Sequence, residues 1–202
     1  MRNDSNSRDF CLNNELFITI DRAYSLSSIV ALIEKGANPD TINYDGDGDL
    51  LIQTAIKRMK STVPCLLDNG ASVNILNKHG TSPLLTALQE SQRDIAGDLV
   101  SRGARVISNE SLGNGELHFA VYRNYHELII PLVKNTISEN PDFNILEQDN
   151  NVNKNTPLDL ARKKKHNICF NLLEMLVNQK SLNDSLETEG TSLPAPKPRP
   201  RF

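Results

Sequence analysis

Ser82-Pro83-Leu84-Leu85-Thr86-Ala87 and Thr156-Pro157-Leu158-Asp159-Leu160-Ala161 carry one pattern twice: a hydroxyl residue, a proline, then an alanine four residues after the proline. A proline at the first helical position loses no hydrogen bond, because the N–H it lacks would have no intrahelical partner there. The Ser or Thr before it can cap the free N–H groups of the opening turn. Both stretches therefore read as helix starts. The same frame recurs in GDLLIQTAI (48–56) and GNGELHFAV (113–121), which align Ala55, Ala87, Ala120 and Ala161 at separations of 32, 33 and 41 residues. A second marker runs in phase with the first. Gly36-Ala37, Gly70-Ala71 and Gly103-Ala104 follow the apolar segments LIEKGANPD, LLDNGASVN and LVSRGARV at separations of 34 and 33. Glycine after an apolar helical segment is the expected left-handed terminator. Two helices per period of about 33 residues make a stacked array, in which each unit buries its apolar face against its neighbours.

The segments resemble the ankyrin repeat, whose signature is a turn, T-P-L-H-x-A opening a first helix, a second helix, and then G-A-x-x-N. Leu117-His118-Phe119-Ala120 keeps the Leu-His-x-Ala half. The resemblance implies an all-α, ankyrin-repeat solenoid of helix-turn-helix units joined by hairpin loops, with His118 hydrogen-bonding between repeats. Five units are expected, at about 14–40, 48–74, 80–107, 113–146 and 155–178, forming a domain over 14–179 between a polar segment (1–13) and a disordered Pro/basic tail (180–202). The first unit is degenerate, with Phe17-Ile18-Thr19-Ile20 in place of the signature. The fourth has Asn135-Thr136 where Gly-Ala would stand, Pro131 inside its second helix, and an insertion over 134–154 expected to be a long loop. Pro131 is expected to kink or shorten its helix. In the last helix Ile168, Leu172, Met175 and Leu176 are spaced to face the core.

Composition excludes several function classes. The 202 residues carry 22 Lys+Arg and 25 Asp+Glu, a net charge of −3, so bulk attraction to nucleic acid or anionic lipid is not expected. No run of about 18 apolar residues is present, and the polar start MRNDSNSRDFCLNNEL does not read as a secretory signal. Cys11, Cys65 and Cys169 are odd in number and widely spaced, which reads as reduced, mostly buried thiols in a cytoplasmic setting. Asp45-Gly46-Asp47-Gly48-Asp49 looks like part of a calcium loop but lacks the bidentate Glu at the required position, so it reads as a turn. The four histidines have no metal-ligand spacing, and no nucleophile elbow or phosphate loop is present. No catalytic residue, metal or cofactor is expected, and no small-molecule substrate.

By position in the repeat, the resemblance implies a protein partner on a concave surface built from hairpin tips and first-helix ends. The helix ends contribute Arg22 and Ala23, Lys57 and Arg58, Gln89 and Glu90, Tyr122 and Arg123, and Lys163 and Lys164; six of these ten are Lys or Arg and one is acidic. The tips contribute Asp45, Asp47 and Asp49, Lys78 and His79, and Leu112 and Asn114. This reads as a basic stripe, suited to an acidic partner segment, with Tyr122 and Arg123 as its anchor. Arg162-Lys163-Lys164-Lys165 also reads as a solvated helix end, and leaves nuclear import open. The chain is expected to be a monomer when unbound. Short ankyrin proteins of intracellular bacteria and viruses are similar, which implies an effector delivered into a host cell; an inhibitor of IκB type and a ubiquitin-ligase adaptor are the alternatives.

Overall fold

A computed structural model describes residues 4–42, 50–107, 115–144 and 155–190, with side chains from 8 to 180. Among the described residues ten α-helices follow one another in five pairs: α1 (Asp4–Asp21) with α2 (Leu26–Glu34), α3 (Leu51–Arg58) with α4 (Val63–Asp68), α5 (Pro83–Gln89) with α6 (Arg93–Ser101), α7 (Glu116–Tyr122) with α8 (His126–Glu139), and α9 (Pro157–Lys164) with α10 (Asn167–Gly190). The first helices stack in chain order, α1 on α3, α3 on α5, α5 on α7 and α7 on α9, while α6, α8 and α10 form a second row. The molecule is an all-α repeat solenoid.

The helix starts follow the sequence. Ser82 Oγ accepts from Leu85 N at 3.0 Å and Thr156 Oγ1 from Asp159 N at 3.1 Å, each ahead of a proline in the first turn. Ala55, Ala87, Ala120 and Ala161 are wholly buried where first helices meet. Around them lie Leu51, Ile56, Leu84, Leu88 and Leu117, each worth about 2 kcal/mol of apolar burial. The core is one continuous cluster from Leu16 to Leu173.

The second helices end as the Gly-Ala pairs predict. Gly36, Gly70 and Gly103 have φ of 102°, 90° and 93°. Ala37, Ala71 and Ala104 donate to Leu32, Leu66 and Leu99 carbonyls at 3.0, 2.9 and 2.9 Å, closing the Schellman turn. Neighbouring turns are then tied together. Asp40 accepts from the backbone N–H and the hydroxyl of Ser72, while Asn74 accepts from Arg105 N and donates to Gly103 O.

Repeat four departs in a different way from expectation. α8 is not shortened by Pro131; it runs on through Asn135 and Thr136 to Glu139, so the first part of the 134–154 segment is helix, not loop. Asn135 Nδ2 donates to Val100 O (2.8 Å) and Ala104 O (3.0 Å), and Thr136 Oγ1 accepts from Val106 N at 2.9 Å. With no glycine to end it, the helix extends until its polar residues reach the carbonyls left over at the end of α6. Phe143 beyond it is buried, and Lys180 Nζ donates to its carbonyl at 2.6 Å.

α1 takes in the polar segment from Asp4 onward. Three further expectations need correction, and the first concerns the tail: α10 continues to Gly190, inside the segment read as disordered. No proline or glycine interrupts 167–189, so nothing local stops that helix. The inward face of α10 is rotated from the expected one: Leu172 and Leu176 pack against the core as expected, but Cys169 and Leu173 are its fully buried residues, whereas Ile168 and Met175 are 54% and 41% exposed. The small Cys169 admits the close approach to Asn124, whose Oδ1 accepts from Sγ at 3.3 Å. All three cysteines are free thiols, but only Cys169 is buried; Cys11 is exposed and Cys65 half-buried. No helix among the described residues is long and apolar enough to cross a membrane.

Candidate partner-binding surface

The first helices end with a shared geometry that places their last side chains in a row. Ala23, Ser91, Asn124 and Lys165 occupy the left-handed region at φ 53°, 58°, 58° and 59°. The residues that follow them, Tyr24, Gln92, Tyr125 and His166, donate back to Thr19, Ala87, Ala120 and Ala161 carbonyls at 2.8–3.0 Å. Each helix is thus closed at one register, and the residues just before the turn project alike. Repeat two breaks the rule: Met59 has φ −141°, and a 3₁₀ turn at Lys60–Thr62 follows.

Adjacent ends touch. Arg58 Nε pairs with Asp21 at 2.8 Å across repeats one and two. Arg123 Nη2 donates to Gln89 O at 2.9 Å across repeats three and four, while its Nε is buried without a hydrogen-bond partner among the described residues. Lys164 Nζ lies 4.2 Å from the centre of the Tyr122 ring across repeats four and five, and the Arg123 guanidinium lies 5.8 Å from the same ring. A cation over an aromatic face is attracted by the ring quadrupole. Tyr125 Oη donates to Ser91 O at 3.2 Å, and His166 Nδ1 lies 2.8 Å from Val121 O.

Of the expected surface residues, the structure brings Gln89, Tyr122, Arg123 and Lys164 into one connected row. Arg58 joins Asp21 instead. Arg22, Lys57, Glu90 and Lys163 are exposed at their helix ends. Lys78 and His79 are exposed at a tight turn, where Asn77 Oδ1 accepts from His79 N and Thr81 N at 2.9 Å each and Gly80 takes φ 71°. Asp45, Asp47, Asp49, Leu112 and Asn114 lie outside the described residues, and with them the acidic border of the stripe.

Behind the row runs a buried polar layer. His118 Nε2 lies 2.9 Å from Asn155 O in the next repeat, as the resemblance implies. Gln53 does the equivalent two junctions earlier, donating to Thr81 O (2.9 Å) and Thr86 Oγ1 (3.1 Å). Glu116, in the place that proline takes in α5 and α9, is 1% exposed. It accepts from Ser82 Oγ at 2.7 Å and Ile107 N at 3.3 Å. Burial pushes its carboxyl up to about 7, against the pull of those hydrogen bonds. Nothing in the sequence marks Glu116, because its burial is set by the neighbouring repeat. Tyr125 and Asp21 are likewise unmarked in the sequence, whereas Lys165 belongs to the charge run at 162–165. Among the described residues no group of three His, Cys, Asp or Glu is placed to hold a metal ion.

No family model matches the chain. It is similar to Protein glp-1 of Caenorhabditis elegans, 28% identical over 173 residues, which is 79% of this chain and 13% of that protein. It is also similar to Alpha-latrotoxin-Lg1a of Latrodectus geometricus, 34% identical over 133 residues, 63% of this chain and 9% of that protein. The chain thus spans only a small fraction of the length of either relative.

Proposed function

We propose that this chain is an ankyrin-type, non-catalytic interaction module that works by holding a partner protein on the row of first-helix ends. The observation that carries this reading is the row itself: four helix ends closed at one left-handed register, presenting exposed cationic and aromatic side chains that bridge adjacent repeats. Such a surface is rigid before binding, so little conformational freedom is lost when a partner is engaged. Tyr122, 48% exposed, gives the row an aromatic anchor of the kind that dominates interface energetics. The effector role belongs to this reading as a setting and not as a mechanism. Its support is the polar carboxy-terminal composition, although α10 takes in Glu187 and Glu189.

Affinity capture with the full chain from eukaryotic lysate tests the proposal. A protein retained by the wild type and lost with an Arg22→Glu/Arg123→Glu variant is the expected result. Arg58 is left intact, because reversing it would set a like charge against Asp21. The same proteins captured at the same yield by both chains would overturn the row as the binding face.

A further inference from the structure

The row is not uniform along its length, and the difference identifies the chemistry of what sits on it. At repeats one and two its cation is balanced within the molecule, Arg58 by Asp21. At repeats four and five Tyr122, Arg123, Lys163, Lys164 and Lys165 gather at two successive helix ends. No ion pair among the described residues joins any of these four cations to an acid; the nearby Asp159 is taken by Arg162. The two cations that are held, Arg123 and Lys164, are held by the Tyr122 ring and, for Arg123, also by a backbone carbonyl, contacts that leave their charge uncompensated.

Lys165 adds its charge at the turn itself. It sits in the left-handed region at φ 59°, the register that Ala23, Ser91 and Asn124 hold at other first-helix ends, and of these four ends only that of α9 places a cation there.

We propose that this corner is the seat of an extended acidic segment of the partner protein, its carboxylates meeting the lysines of α9 and one apolar or aromatic side chain of the segment covering Tyr122. This deepens the reading of the row as a protein-binding face and rests on it. A protein segment fits better than nucleic acid. The cations occupy one corner of a chain of net charge −3, with Glu90 exposed at the adjoining helix end, whereas a polyphosphate chain needs a continuous cationic track.

Fluorescence anisotropy of the full chain with a labelled Glu-Gly repeat peptide containing one central tyrosine tests this directly, with the Gln-Gly counterpart and oligothymidylate as comparisons. The Glu-Gly peptide is expected to bind, the Gln-Gly peptide to bind at least about tenfold more weakly, and affinity to fall with added salt. Lys164→Glu, and the milder Lys163→Gln/Lys164→Gln pair, are expected to lose about tenfold, while Arg58→Gln stays within about twofold. Circular dichroism of each variant shows that it remains folded. Equal binding of the two peptides, tighter binding of oligothymidylate, or self-association that competes with the peptide would overturn the inference. Should the peptide fail while lysate capture still returns a partner sensitive to Arg123, the acidic segment is wrong and the row stands.

Discussion

The junction between repeats two and three and the junction between repeats three and four solve one problem from opposite sides. At the first, glycine ends both second helices, and Asn74 of the earlier repeat reaches forward to Gly103 O and Arg105 N. At the second, Ile107 stands where that asparagine would be, so the earlier repeat has nothing to reach with. The later repeat reaches back instead: Asn135 and Thr136 satisfy Val100 O, Ala104 O and Val106 N. The lesson is that a departure from a repeat pattern is not a defect when the backbone groups at the seam still find partners.

Restoring the pattern therefore damages this protein. Asn135→Gly/Thr136→Ala is expected to cost about 3 kcal/mol in urea unfolding, from a glycine inside α8 and a buried Val106 N–H left without a partner. An unchanged or raised midpoint would break the comparison.

Glu116 sharpens it, since it bridges the same seam through Ser82 and Ile107. Its carboxyl is raised in the folded state from 4.5 to about 7, so the folded state holds the proton more tightly than the unfolded chain. Its stabilising contribution is complete below pH about 4.5 and lost as pH rises through about 7. The wild type is expected to lose about 3 kcal/mol across that window relative to Glu116→Gln. Parallel pH profiles of the two chains would show that this proton is not linked to folding.

The next two changes contrast second-helix and first-helix ends. An added Cβ at Gly70 meets nothing within 4 Å, yet φ is +90°, so Gly70→Ala is expected to cost about 1 kcal/mol through backbone strain alone. Lys165→Gly relieves the matching strain at a first-helix end and is expected to stabilise by about 0.5 kcal/mol while weakening capture of an acidic ligand. Thermal unfolding of the two variants measures both, and shifts of the same sign would refute the contrast.

What the sequence makes legible is what the backbone demands locally. The Gly-Ala period, the Ser82 and Thr156 caps and the small alanines are each required by one turn or one close approach, so they are visible as residue types. The face that α10 turns inward is not of this kind. Ile168, Leu172, Met175 and Leu176 have helical spacing, but so do Cys169, Leu173 and Leu176, and packing on α8 and α9 keeps Leu172 and Leu176 while replacing Ile168 and Met175 with Cys169 and Leu173. The left-handed ends at Ala23, Ser91 and Lys165 carry no glycine to announce them. For the candidate surface, the sign of the charge was readable. The pairing of Arg58 with Asp21 was not, since the partners lie a repeat apart and only stacking brings them together. Five of the expected surface residues, Asp45, Asp47, Asp49, Leu112 and Asn114, remain sequence readings because they lie outside the described residues.

Among the described residues, every hydrogen bond that crosses a seam ends in the very next repeat; none clasps the first repeat to the last. Such a chain has the mechanics of a row of beads, not of a knot. Pulled by its two ends, it has no long-range bond to break all at once, and the load falls on one seam at a time. Each surrendered repeat would pay out roughly 100 Å of slack at about 3.5 Å per residue, giving a staircase of similar steps whose highest riser marks the seam gripped by Asn135 and Thr136.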